Sequence, residues 1–204
     1  VLAGANTYTG TTTVESGTLV LNQSTRSSAV TVDAGAMLQF GNSTADYFFN
    51  AAPTSINGSG VFQKIGSNKV IFGGFNTFAW KLGAGGLIDV QQGTLKGSDF
   101  FRAEWTDNLA SLNVASGATF DGVEGNVRVD ALTGAGVISS GFNPAGTAYK
   151  NFTFGVNNGS GVFNGIIQNG NFAGNFVKLG NGTQVLAGAN TYTGTTTVES
   201  GTLV

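Results

Sequence analysis

Residues 1–20 and 185–204 are one string, VLAGANTYTGTTTVESGTLV, repeated without a change. Self-similarity at a fixed spacing marks stacked units and not a closed globule, so this repeat limits the fold more than any other feature of the chain. The chain opens on Val1 and stops inside an apolar run at Val204. It is therefore expected to be a single continuous segment over residues 1–204, one 184-residue period plus an overlap, cut from a longer tandem protein.

A shorter recurrence lies inside the period. VESGTL at 14–19 returns as VDAGAML at 32–38, VQQGTL at 90–95, VASGATF at 114–120 and VESGTL at 198–203. In each, Val ends one strand, two small or polar residues turn a corner, and Gly supplies a positive φ without Cβ strain. The next strand then starts on a large apolar residue. The spacings from Val14 to Val32 and from Val90 to Val114 suit one coil of a solenoid. A second unit, Gly-x-Gly-Val, occurs at Gly58–Val61, Gly134–Val137 and Gly159–Val162. A third is an ungapped match of residues 64–78, KIGSNKVIFGGFNTF, to residues 178–192, KLGNGTQVLAGANTY. Helical periodicity is nearly absent, and short strands between Gly and Asn turns dominate. Sandwiches and barrels also show short strands, but a closed fold has no reason to repeat its first strand at its end. A corner recurring about once per ~20 residues predicts an all-β parallel β-solenoid with roughly nine coils per period. Phe62, Phe72, Phe152 and Phe154 are expected to stack in its core.

Two stretches read as excursions from the coils. Residues 96–109, KGSDFFRAEWTDNL, place Phe101, Trp105 and Leu109 at helical spacing, with Ser98 available to cap a short amphipathic helix. Residues 44–53, TADYFFNAAP, are a weaker parallel. The first stretch supplies the candidate surface contact: Asp99, Phe100, Phe101, Arg102, Glu104, Trp105 and Asp107. Such a cluster would meet sugar rings or a neighbouring fibre if Trp105 were exposed, and otherwise packs as a satellite on the coil wall.

Composition narrows the chemistry. Charged residues are 10% of the chain, apolar residues 41%, and Gly accounts for 33 positions, which excludes both disorder and a charge-covered enzyme surface. The net charge is −2 and the nine Lys and Arg are dispersed from Arg26 to Lys178, so no basic cluster tracks phosphates and nucleic acid is not an expected partner. With no His and no Cys, the nucleophilic triads, the usual zinc sites and thiol redox chemistry are gone. No catalytic, metal or cofactor-binding residue is assigned, and no cofactor is expected. Carboxylates on adjacent coils could still cleave a polysaccharide; the sets to test are Asp121 with Glu124 and Asp130 beside Arg128, and Asp99 with Glu104 and Asp107. The preferred reading of both sets is solvated turn and edge residues.

The string KLGNGTQVLAGANTYTGTTTVESGTLV at 178–204 resembles the autotransporter-associated β-strand repeat, found in passenger regions of large secreted bacterial surface proteins. The family's K-x-G-x-G strand, its [SA]-G-x-N-x-Y-x-G segment and its T-x-V-x-x-G-T-L corner are all present, with Gln-Val-Leu where Thr-Leu-Thr-Leu is usual. The resemblance assigns the repeat junction and corner to Asn6, Tyr8, Gly10, Val14, Gly17 and Leu19, and again to Asn190, Tyr192, Gly194, Val198, Gly201 and Leu203. It implies a right-handed parallel β-helix on the outside of a Gram-negative-type cell, outer-membrane-anchored or released, with no membrane insertion of this segment. The expected function is a non-enzymatic, stiff rod or filament shaft in a giant extracellular fibre or adhesin. A carbohydrate-binding adhesin module is the alternative, and a β-helical polysaccharide lyase or hydrolase a more remote one. The expected partners are neighbouring repeats of the same protein stacked head to tail, with lateral fibre contacts or glycans as further candidates.

Overall fold

A Val-x-x-Gly corner, formed at Gly17, Gly35, Gly93, Gly117 and Gly201, turns the chain so that each coil returns above the last. The computed structural model describes residues 1–4, 6–22, 28–41, 45–49, 53–73, 77–100, 103–142 and 151–204. Among these residues there are 24 short strands and no helix. Every strand pairing is parallel, and each joins one coil to the next.

The strands form three walls, visited in a fixed order. One wall is a nine-stranded sheet running from Thr18–Leu21 to Thr202–Leu203. The next is a six-stranded sheet from Tyr47–Phe49 to Ile166–Asn169. The third is shared by a five-stranded sheet, Thr12–Val14 to Ala103–Glu104, and a four-stranded sheet, Val127–Val129 to Thr196–Val198. The expected β-solenoid is therefore the fold. Its longest wall holds nine rungs, but Thr18 and Thr202, one period apart, are separated by only eight steps. The coils are accordingly somewhat longer than expected, because corners vary. The step from Thr18 to Met37 is among the short ones, and the step from Gly134 to Phe163 is far longer.

The corner glycines behave as their motif requires. Gly17, Gly35, Gly93, Gly117 and Gly201 all have φ between 63° and 81°. Val14 pairs with Val32 and Val90 with Val114, so the two spacings read from the sequence are coil steps. The submotif shared by residues 64–78 and 178–192 is a corner module and not a wall module. Lys64 ends a strand of the nine-stranded sheet, whereas Lys178 ends a strand of the four-stranded sheet.

Inward positions fill with apolar side chains. Phe62, Phe72, Phe152 and Phe154 are fully buried, as expected. An aromatic column climbs the axis through Phe40, Phe62, Trp80, Trp105, Phe120, Phe152, Phe176 and Tyr192. Successive ring centroids in it lie 4.4 to 6.1 Å apart.

Among the described residues, both stretches expected to leave the coils contribute a rung. In the stretch 44–53, Tyr47–Phe49 is a regular rung paired with Val70–Phe72. In 96–109, Ala103–Glu104 is a rung paired with Phe78–Ala79, and no helix forms among the described residues. The Ser98 hydroxyl caps nothing helical; it donates to the Glu124 carbonyl on the next coil and accepts from the Ala103 amide. The strand wins over helical spacing because Ala103 and Trp105 both point into a core that already runs past them.

Candidate functional site

The candidate surface cluster is dispersed by the fold. Trp105 is only 2% exposed and stacks on Trp80, with centroids 5.0 Å apart and planes 22° from parallel. It is a core residue, and the sugar-facing role that needed its exposure is withdrawn. Asp99 is buried against Lys96, while Phe100 is exposed and takes a φ of 50°. Glu104 and Asp107 face solvent, and Asp107 pairs with the exposed Lys81 at 3.4 Å. These two carboxylates line a shallow depression of about 340 Å³ with Thr77, Lys81 and Thr106. Phe101 and Arg102 lie outside the described residues.

The polysaccharide-cleaving sets do not assemble. Asp121 accepts the Val123 amide, and Asp130 accepts the amides of Asn157 and Gly159 at 2.8 and 2.7 Å. Glu124 is drawn instead to Lys96, which bridges it at 3.2 Å and Asp99 at 2.5 Å. Each of these carboxylates thus has its own structural partner. The Lys96 triad joins two coils: burial pushes its ammonium down, but the hydrogen bonds and charges of Asp99 and Glu124 outweigh this and hold it above the ordinary value.

Polar side chains on the nine-stranded wall link rung to rung. The register aligns Gln39, Gln63, Asp89, Asn113 and Thr133. Gln39 donates to Gln63 at 2.6 Å, and Gln63 to Asp89 at 2.8 Å. Asn113 donates to the other Asp89 oxygen at 2.7 Å, and Thr133 to Asn113 at 3.1 Å. A nearly buried carboxylate is thereby held by neutral amides, which satisfies its lone pairs without a cation.

Two lysines that the sequence did not mark as functional clamp one coil to the next. Lys64 and Lys178 are fully buried. The Lys64 ammonium donates to the Ile65 and Gly66 carbonyls at 2.7 and 2.8 Å, to Asn68 Oδ1 at 3.2 Å, and to the Gln92 carbonyl of the next coil at 3.1 Å. Lys178 donates to Leu179 and Gly180 in its own corner and to the Ser200 carbonyl of the next coil at 3.4 Å. Their only signal in the sequence is the Lys-x-Gly that opens both copies of the corner module, and a lysine is normally read as exposed.

Burial pushes the Lys64 ammonium down to about 8, against a smaller upward pull from the Asp46 charge. Lys178 is lowered by burial too, with Asp130 opposing. The folded chain therefore releases the Lys64 proton before the unfolded chain, whose lysine keeps the ordinary value of 10.5. A group bound more tightly to its proton in the unfolded state makes stability rise with pH. Urea midpoints are expected to climb from about pH 8 towards 10.5 and to do so much less in Lys64→Met. Above that window Lys96 loses its proton and leaves Asp99 and Glu124 without their cation, so the gain reverses.

The junction residues recur in matching geometry. The Tyr8 and Tyr192 hydroxyls each bond the hydroxyl four residues on, Thr12 and Thr196, at 2.7 Å. Asn190 Oδ1 accepts the Ile167 amide of the coil below at 2.9 Å while its Nδ2 donates to the Gly188 carbonyl, so this Asn is a turn residue that also caps a sheet edge.

Stacked corners, inter-coil clamps and outward polar ladders define a structural β-solenoid. Residues 1–21 and 176–204 match the family described as Passenger-associated-transport-repeat. Over 198 residues, 91% of this chain, the sequence is 34% identical to the adhesin BmaC autotransporter of Brucella suis biovar 1 (strain 1330). The chain spans 5% of that relative's length. No solved structure matches it. Its two ends thus match the passenger repeat family, and most of its length is similar to an autotransporter adhesin.

Proposed function

We propose that this segment is a non-enzymatic shaft of a bacterial surface adhesin, a stiff spacer exposed outside the cell. The observation that carries this reading is the nine-stranded wall, which runs from Thr18 to Leu203 with every rung in parallel register. Strands pair only with those of adjacent coils, and the Gln184 amide reaches one coil further to the Leu132 backbone, so stiffness and stability accumulate along the axis and length can grow by adding periods. The charged side chains support the same reading, since Asp89, Asp99, Glu124 and Asp130 are all engaged in holding coils together. Similarity to a protein named an adhesin autotransporter supports the surface location.

A rise of about 4.8 Å per coil, the spacing of strands in a sheet, gives eight coils a length of about 38 Å per period. Electron microscopy of the parent surface protein is expected to show thin rods whose length grows by about that amount with each added period. Compact particles of the same mass would overturn the reading.

A further inference from the structure

Gln184 lies on strand Thr183–Leu186, is only 1% exposed, and is paired by register with Gly161 on the rung beneath. Its carboxamide does not stop at that rung. Oε1 accepts the Leu132 amide at 3.0 Å, and Nε2 donates to the Leu132 carbonyl at 2.8 Å. Leu132 belongs to the strand beyond, so the contact skips one coil. Nε2 also donates to the Val185 carbonyl at 3.2 Å, so the buried amide is satisfied within the chain.

The intervening rung explains the contact. Leu87–Val90 pairs along its whole length with the strands on both sides of it. Leu132–Gly134, by contrast, meets Gly161–Phe163 only where Gly134 faces Phe163. The register thus gives Leu132 no strand partner on that side, and buried backbone groups must be paired. Gln184 supplies the pair, because its amide offers one acceptor and one donor as a neighbouring peptide unit would. Gly161 leaves the passage open. A Cβ there would stand 2.4 Å from the Leu132 carbonyl oxygen and 3.2 Å from Gln184 Oε1.

A solenoid whose coils touch only their neighbours can open from a loosened place one coil at a time. We propose that Gln184 is a latch that makes the rungs Leu132–Gly134, Gly161–Phe163 and Thr183–Leu186 open and close as one unit, so that a shaft yields there in a block and not coil by coil. Peeling away the upper rung strips both Leu132 backbone groups of their partner at once. Loosening the lower rung leaves the Gln184 amide unpaired in the core. Either partial opening orphans buried polar groups, which makes it the expensive state. The yielding of a shaft rests on the reading above, whereas the latch itself is decided by local opening at Leu132 and not by rod length.

Amide hydrogen exchange on the 204-residue chain tests it. The reporters are Leu132, Asn164, which donates to the Gly134 carbonyl at 2.7 Å, and Ala187, which donates to the Phe163 carbonyl at 2.8 Å. A single opening unit gives all three the same protection to within about twofold. Gln184→Leu keeps the volume and removes the amide. In it Leu132 should lose at least about tenfold in protection, and the three values should separate. The Val61 amide, bonded to the Ala36 carbonyl on a distant coil, should keep its protection and so report that the variant folds.

Gln184→Glu adds a signature that lost packing cannot produce. Its carboxylate still accepts from the Leu132 amide but faces the Leu132 and Val185 carbonyls with no proton to donate. Burial and those carbonyls raise the carboxyl group above its ordinary value, so the folded chain holds the proton more tightly than the unfolded one. The stability it lends is then present in acid and lost as pH rises. Leu132 protection in this variant should match the parent at about pH 4 and fall at least about tenfold below it by about pH 7. Unequal protection of the three amides in the parent would overturn the proposal, as would Leu132 staying within about twofold of the parent in Gln184→Leu. A Gln184→Glu chain without that pH dependence would overturn it as well.

Discussion

Trp80→Ala is expected to lower the stability of the chain by about 3–5 kcal/mol, the range for deleting a large aromatic side chain from a packed core. Trp80 is fully buried at the centre of the aromatic column. Its ring lies 5.2 Å from Phe62, 5.0 Å from Phe72, 5.1 Å from Phe78 and 5.0 Å from Trp105. Its Nε1 donates to the Gly97 carbonyl at 2.9 Å, tying the third wall to the corner that leaves the six-stranded sheet. Alanine would leave a cavity that rigid strands on three sides cannot close, together with an orphaned carbonyl. Urea or thermal unfolding followed by far-ultraviolet circular dichroism measures the loss. Trp80→Phe separates the two contributions, since it keeps most of the packing and removes only the N–H. A midpoint within error of the parent for Trp80→Ala would mean that the column is not the main support of the middle coils.

Local chemistry made part of this architecture legible from the chain alone. The Val-x-x-Gly corners announce their backbone because only a residue without Cβ takes that turn cheaply, and Gly17, Gly35, Gly93, Gly117 and Gly201 all do so. The core residues Phe62, Phe72, Phe152 and Phe154 could be named because burying a large ring on a short strand is favourable, although Phe48, Phe100 and Phe172 stay exposed. The coil count was less legible, because corner length is set by what each corner must cover and not by a shared motif. Trp105 misled for a related reason: its spacing from Phe101 and Leu109 mimics a helix, while the rung at Ala103–Glu104 is too short to announce itself. The lysine clamps were illegible in kind. The cage around Lys64 is assembled from Ile65, Gly66, Asn68 and Gln92, contributed by two coils whose approach only the folded register creates.

The second large effect is expected at the base of that cage. Gly66 and Gly117 have nearly the same backbone, with φ of 78° and 80°. A side chain at either incurs the left-handed penalty, about 1–2 kcal/mol for a residue with a Cβ. At Gly117 nothing lies within 4 Å, so Gly117→Ala should cost no more than that. At Gly66 an added Cβ would sit 1.9 Å from the Gly41 carbonyl oxygen and 3.1 Å from Asn68 Oδ1. The neighbour is backbone, and its position is fixed by Ile65 donating to the Phe40 carbonyl at 2.8 Å. Relief therefore requires the 65–66 backbone to shift away from Gly41, which displaces the Ile65 and Gly66 carbonyls from the Lys64 ammonium in the same corner. Hydrogen bonds to a buried charge contribute about 1.5–3 kcal/mol each, so Gly66→Ala should exceed Gly117→Ala by at least about 3 kcal/mol. Paired urea titrations of the two variants decide it. Equal midpoints would mean that the corner yields without breaking the clamp, and that coil stacking here depends on the walls alone.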